Sequence, residues 1–269
     1  MTVSILGCGW FGMALGIELV SKGYRVKGSV TVAEKLPKLI SAGIEPFVVK
    51  FESDKDVFDQ GFFECDVLLI CIPPKFRSGE GEEYLDKLKK MIGQIISHGI
   101  KRVIYISSTG VYGDKNRIVN ELSDPESDTP SARSLRDAEL LFEDQNDFAS
   151  AIIRFGGLVG PGRNPGRFFA GKKAIPNGRA PVNLIHLTDC IGITISIIEA
   201  DSFNSLFNAV CPDHPHKQAF YRNTALKSGL PEPEFIDELL DWKQVESIYV
   251  SPKLHYRFKV DNWANCSFD

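Results

Sequence analysis

The chain has 269 residues, 43% hydrophobic and 25% charged, ordinary globular proportions with enough length for one large α/β domain or two unequal lobes. Its formal net charge of -4, with acids and bases interleaved, supplies neither a basic face for nucleic acid nor a polybasic segment for an anionic membrane. Met1 runs almost directly into the apolar stretch Val3 to Leu6 without the features of a secretory leader, no run is long enough to span a bilayer, and the six cysteines lack paired spacing, so a reducing, cytoplasmic setting is expected.

In chain order, Val3 to Leu6 reads as a first strand and Phe11 to Lys22 as the helix after it, with Leu15, Leu19 and Val20 at helical spacing and Gly23 as its stop. Tyr24 to Val30 is a second strand, Leu36 to Ala42 a short helix with Pro37 suited to its start, and Glu45 to Lys50 a third strand. Asp66 to Ile72 is an unbroken apolar strand ended by Pro73 and Pro74. Glu82 to Ser97 makes a long amphipathic helix, and Arg102 to Ser107 another core strand. Residues 114–130 read as a loop, Ser131 to Phe142 as helix and Ala149 to Phe155 as strand. Beyond Gly156 the alternation weakens and glycine and proline become frequent. The expected fold class is α/β, a Rossmann-type doubly wound parallel sheet with a smaller C-terminal substrate lobe. Residues 1–156 are expected to form the dinucleotide-binding region, and 157–269 mostly the lobe, packed on the first as one compact unit.

Gly7-Cys8-Gly9-Trp10-Phe11-Gly12 is a G-x-G-x-x-G placed between a strand and a helix, the context in which it holds the pyrophosphate of a dinucleotide. Gly7 permits the tight turn, Gly9 lets the backbone approach the phosphates and Gly12 allows close packing on the strand, while Trp10 and Phe11 complete the helix start whose amides attract the anion. Ile72, Pro73 and Pro74, after the apolar strand, are further cofactor candidates. An NAD-selective site carries Asp or Glu at the end of the second strand; here the sequence is Ser29-Val30-Thr31. Without that carboxylate a 2′-phosphate is not repelled, and Ser29, Thr31 and Lys35 are placed to bond or neutralise one, so the cofactor is NADP or NAD with NADP preferred. The alternative for Thr31 and Glu34 is a helix capping box.

Further along come Ser108-Thr109-Gly110-Val111-Tyr112-Gly113, then Arg154 to Gly162 ending in Gly160-Pro161-Gly162, then Asn183-Leu184-Ile185-His186-Leu187-Thr188-Asp189. In this order the segments resemble those of the extended short-chain dehydrogenase/reductases, the NAD-dependent epimerase/dehydratase proteins acting mainly on nucleotide sugars. Within them the G-C-G-W loop is similar to that of an atypical subgroup labelled nucleoside-diphosphate-sugar epimerase-like. The resemblance implies that Ser108 polarises the substrate carbonyl or hydroxyl, with Thr109 as stand-in. A hydroxyl at the C-terminal end of a central strand also points into the ligand crevice of any open α/β sheet; the plain alternative is a strand-end cap. It further implies a nucleotide sugar as small-molecule substrate, and a homodimer paired through Glu82 to Ser97 and Ser131 to Phe142.

The same resemblance exposes a departure. Family members carry a Tyr-x-x-x-Lys pair on the helix after that loop, and counting back from Glu139 puts Ser131 and Leu135 in its places. A serine without an adjacent cation is a feeble acid at neutral pH, and leucine has no charge. Arg133 on the same helix could hold a phosphate or an oxyanion but not shuttle a proton. Tyr112 is the nearest phenol in sequence, its alternative being a tyrosine packed on the turn with its hydroxyl satisfied locally.

Arg163 and Arg167 flank the glycines of 160–167 and are candidates to clamp an anionic substrate group. His186 is a further substrate candidate, although His186 and Asp189 also read as the start of a helix through Ile191 to Ile198, capped by Thr188 or Asp189. Cys211, Asp213, His214 and His216 are stiffened by Pro212 and Pro215 and lack a second ligand pair, so no metal is expected. Two functions follow: an NADP-linked oxidoreductase or epimerase acting on a nucleotide sugar or related carbonyl compound, or a regulatory protein that binds the dinucleotide without catalysis.

Overall fold

A computed structural model describes residues 1–52, 55–73, 81–125 and 129–268, with the backbone alone at 81 and 82. Strand β1 (Thr2–Leu6) runs into helix α1 (Trp10–Ser21), followed by β2 (Arg25–Val30), α2 (Leu36–Ser41) and β3 (Glu45–Val48). The chain then returns to the other side of β1 with β4 (Val67–Ile70), α3 (Gly81–Ser97), β5 (Arg102–Ser108), α4 (Pro130–Glu143) and β7 (Ala149–Phe155). With β10 (Ser205–Ala209) these strands make one seven-stranded sheet in the order β10-β7-β5-β4-β1-β2-β3, parallel from β3 through β5. Strand order reverses beside β1, where Ile5 pairs with Gly28 on one side and Leu6 with Ile70 on the other. Ligands of open α/β sheets bind in the crevice outside the strand ends at such a reversal.

Burial explains why these strands read as unbroken apolar runs: every residue of β4 is fully buried, as are Val3 and Ile5 of β1, because both faces of a parallel sheet are covered. Leu88, Met91, Ile92 and Ile95 of α3 enter a core with Phe62, Phe63, Tyr105 and Phe142, where the Tyr105 and Phe142 rings stack with centroids 4.4 Å apart. Helix α4 starts one residue before the Ser131 that the sequence suggests, capped by Thr129, whose Oγ1 accepts from the Ala132 amide at 3.2 Å, with proline in its first turn. Its Glu139, fully buried, accepts from Ser107 Oγ at 2.6 Å and from Arg136 at 3.3 Å, which ties α4 to β5.

Several elements depart from the sequence expectation. The stretch 114–130 contains strand β6 (Arg117–Val119), paired in parallel with β11 (Lys243–Val245); three residues are too few to show a period. Helix α5 (Leu187–Glu199) begins four residues earlier than its apolar run, and β10 carried no signal strong enough to be read.

The chain divides into two compact units. One comprises Met1–Ser108, Ser127–Ile153 and Thr194–Leu206; the other comprises Thr109–Glu126, Arg154–Ile193 and Phe207–Asp269. The second has two-stranded sheets, β6 with β11 and β8 (Gly157–Val159) with β9 (Leu184–His186), and helices α6 (Lys217–Lys227) and α7 (Val250–Leu254). Its core gathers Val159, Val182, Leu184, Phe220, Tyr221 and Trp263. Among the described residues no helix is long and apolar enough to cross a membrane.

Candidate dinucleotide site

The three glycines of the loop meet three different constraints. Gly7 has φ +103°, open to glycine at little cost, and a Cβ there would stand 3.3 Å from the Cys71 carbonyl oxygen. At Gly12 a Cβ would lie 2.4 Å from the Gly7 carbonyl oxygen and 3.2 Å from Ile5, so no other residue lets α1 approach β1 this closely. Gly9 is exposed and precedes the first residue of α1, and a Cβ there would meet nothing within 4 Å; its bareness keeps the approach to the helix start open. Trp10 is half-buried and Phe11 buried at that start, where helical amides and the helix dipole favour an anion.

Ser29 has a different task from the one its position suggests. Its Oγ accepts from the Gly7 amide at 3.0 Å and its carbonyl accepts from the Cys8 amide at 2.8 Å, so it braces the glycine turn from β2. The capping box at Thr31 and Glu34 is not formed: the short 3-10 turn Ala33–Lys35 starts from Val32 with no side-chain cap bond, leaving Thr31 exposed. A cleft of ≈ 600 Å³ opens here, lined by Gly7, Gly9, Ser29, Thr31, Ile72 and Pro73 among others. Pro74 lies outside the described residues.

Among the described residues, the charged side chains of Lys35, Lys50, Glu52 and Lys87 also line this cleft. Lys50 and Glu52 escaped the sequence reading. The signal was the neighbouring of β2 and β3: the Val49 amide donates to the Val30 carbonyl at 3.0 Å, which brings the turn after β3 beside the end of β2. Cys8, inside the loop, is no nucleophile at neutral pH, since burial pushes its thiol up to about 12 against a smaller opposing effect of a hydrogen bond to Ser29.

Of the catalytic candidates, Ser108 closes β5 half-buried and Arg133 stands exposed on α4, in the same unit as the loop. On that helix Ser131 Oγ is 3.2 Å from Thr129 Oγ1, and Leu135 is buried. Thr109 and Tyr112 belong to the second unit. Thr109 Oγ1 donates to the Phe155 carbonyl at 3.4 Å. The Tyr112 hydroxyl accepts from Arg154 Nη1 at 2.7 Å, with the Asn120 carbonyl at 2.9 Å and Asn208 Oδ1 at 3.1 Å as acceptors for its proton. Burial raises its pKa despite Arg154; this is the arrangement of a tyrosine satisfied locally.

Within the second unit, Gly160 and Arg163 exchange main-chain hydrogen bonds across Pro161 and Gly162, a closed turn with Arg163 and Arg167 both exposed. His186 Nδ1 accepts from the Thr188 amide at 3.2 Å, so the cap of α5 is the histidine, not Thr188 or Asp189. Asp189, fully buried, instead accepts from Tyr256 Oη at 2.8 Å and the amides of Lys259 at 2.7 Å and Val260 at 3.1 Å. Asp213 accepts from the Trp263 amide at 2.9 Å and His214 Nδ1 donates to the Val182 carbonyl at 2.9 Å. No group of His, Cys, Asp or Glu among the described residues is arranged to hold a metal ion.

Burial lowers the pKa of both His186 and His214 from the ordinary 6.5, partly offset at His186 by Asp189 and at His214 by the bond to Val182. The folded protein therefore binds protons less readily than the unfolded chain, and stability present above that value is lost as pH falls through the lowered folded pKa. The melting temperature is expected to hold near neutrality and to fall once the pH drops below about 6.5. His186→Asn, which keeps an acceptor for the Thr188 amide, should flatten part of that fall; superimposable pH curves would refute the contribution of His186.

Residues 7–183 match the family described as NAD(P)H-binding. The chain belongs to this NAD(P)H-binding family. It is 37% identical over 242 residues to Protein YeeZ of Escherichia coli (strain K12), covering 88% of this chain and 87% of that protein. Among solved structures, a functionally unknown conserved protein from Silicibacter pomeroyi superposes with a TM-score of 0.80 at 21% identity, covering 97% of this chain and 94% of that one. A UDP-glucuronic acid 4-epimerase from Bacillus cereus in complex with NAD gives 0.79 at 16% identity, covering 97% and 92%. A UDP-glucose 4-epimerase from Thermotoga maritima with UDP-glucose gives 0.77 at 14%, covering 97% and 94%. The sheet order of a Rossmann-type fold and the glycine loop thus agree with an NAD(P)H-binding family whose fold is shared with epimerases.

Proposed function

We propose that the protein binds NADP in preference to NAD and acts as an oxidoreductase or epimerase on a nucleotide sugar or related carbonyl compound in the cytoplasm. The observation that carries the reading is the cleft lined by Gly7 and by Gly9, the residue before α1, in which β2 runs out through Val30 into Thr31 with no carboxylate there. Two proteins of the same fold are described as complexes with UDP-sugars, one of them with NAD as well, which supports the substrate class. In this reading Ser108 polarises the substrate and Arg133, in the same unit as the glycine loop, offers it a cationic contact. Six free thiols fit a reducing compartment, and pairing of two copies through α3 and α4 is the accompanying expectation.

A second reading, dinucleotide binding without catalysis, is favoured by Ser131 and Leu135, one hydrogen-bonded to the helix cap and the other buried. One assay separates the two. Purified chain loaded with NADP, then with NAD, is offered a panel of UDP-sugars and small carbonyl compounds while nicotinamide absorbance and sugar epimers are followed. Turnover that Ser108→Ala reduces by about a hundredfold or more supports the enzyme; tight dinucleotide binding with no turnover on any member supports the second reading.

A further inference from the structure

Resting on the reading of this cleft as the NADP site, we propose that Lys50 and Lys35 clamp the 2′-phosphate of NADP and that Glu52 is a resident counter-ion which the phosphate displaces from Lys50. The turn after β3, rather than the end of β2, then decides which dinucleotide is taken.

The backbones of Lys50 and Glu52 are tied down while their side chains are only loosely paired. Lys50 exchanges main-chain hydrogen bonds with Val57 at 2.7 and 2.9 Å. The Glu52 amide donates to Asp56 Oδ1 at 3.1 Å, its carbonyl accepts from Lys90 Nζ, and Lys90 also pairs with Asp56 at 3.0 Å. Lys50 Nζ stands 3.5 Å from Glu52 Oε1, with 33% and 55% of the two side chains exposed, a loose pair of the kind that contributes little and is readily exchanged. Lys35 sits exposed on the same cleft. Lys87, which also lines the cleft, is already held by Glu83 at 2.6 Å.

A phosphate monoester brings nearly two negative charges and three acceptor oxygens, against one charge for the Glu52 carboxylate, so an ammonium shared between them goes to the phosphate. Ser29, only 2% exposed and accepting from the Gly7 amide, is held on the glycine turn and brings no charge to a phosphate. The lysines therefore carry the recognition that β2 does not. NAD, lacking that phosphate, leaves the Lys50 and Glu52 pair in place and gains nothing from it.

The test is calorimetric titration of the full chain with NADP and with NAD, in the parent and in Lys50→Gln, Lys35→Gln, Lys50→Arg and Glu52→Gln, each first checked for an unchanged melting curve. The parent should prefer NADP by roughly tenfold or more, and each Lys→Gln change should cut the NADP-to-NAD affinity ratio by about tenfold. Lys50→Arg should retain the ratio, and Glu52→Gln should raise it several-fold by removing the competing carboxylate. A ratio untouched by Lys50→Gln overturns the clamp. If Glu52→Gln weakens NAD instead, Glu52 bonds the ribose hydroxyls and the assignment is reversed. A parent that binds NAD well but gains nothing from the 2′-phosphate overturns the clamp alone, whereas a parent that binds neither dinucleotide removes the cofactor reading beneath it.

Discussion

Gly9→Glu is expected to abolish measurable binding of NAD and NADP while leaving the melting temperature within about 2 °C of the parent, a change of about 1 kcal/mol or less. A Cβ at Gly9 meets no atom within 4 Å and the residue is exposed, so the fold accommodates the side chain. The ligand does not, because a carboxylate then occupies the approach to the helix start and repels the pyrophosphate. Gly12→Ala should fail in the opposite way. Its methyl would sit 2.4 Å from the Gly7 carbonyl oxygen, a backbone atom that moves only if α1 lifts from β1, and about 3 kcal/mol or more of stability should be lost. Calorimetric titration alongside thermal melting checks both. Unchanged affinity in Gly9→Glu would refute the placement of the phosphates, and a parent-like melting curve for Gly12→Ala would refute the close packing.

Asp189→Ala should lose about 3 to 5 kcal/mol, seen as a melting temperature lower by roughly 10 °C. The carboxylate is fully buried and accepts from Tyr256 Oη and two successive amides, those of Lys259 and Val260. Each donor left without a partner carries a desolvation penalty of about 1 to 3 kcal/mol. Gly192 belongs to the same docking, since a Cβ there would stand under 3 Å from three atoms of the Tyr256 ring and hydroxyl; Gly192→Ala should therefore release the 256–260 segment as well. Limited proteolysis should cut that segment faster in both variants. Parent-like melting and cleavage in Asp189→Ala would show that the carboxylate is not what holds it.

The contrast between these two sites says what was legible in the sequence. The glycine loop was readable because its constraints are local: strand, turn and helix start lie within about ten residues, and each glycine has a separate steric reason. Strands β1 and β4 were readable because burial on both faces forces unbroken apolar runs. Ser29 and Gly7, by contrast, meet 22 residues apart, so the bond that occupies the Ser29 hydroxyl cannot be seen until β1 and β2 are paired. Asp189 looked like a helix cap because it stands in the first turn of α5, yet its partners come from a segment 67 to 71 residues later. Lys50 and Glu52 reach the cleft only through the order of β2 and β3. The missing signal in each case is tertiary neighbourhood, which periodicity and motif spacing do not encode.

The place of β10 in the sheet bears on how the chain is made. It lies at the margin next to β7 yet occupies residues 205–209, so on the ribosome the loop, the cleft and six strands emerge long before the strand that seals their border. Until then the rim of β7 offers unpaired main-chain groups to any other extended segment. A nascent chain stalled before Ser205 would thus already possess its glycine loop and still be prone to join the wrong neighbour.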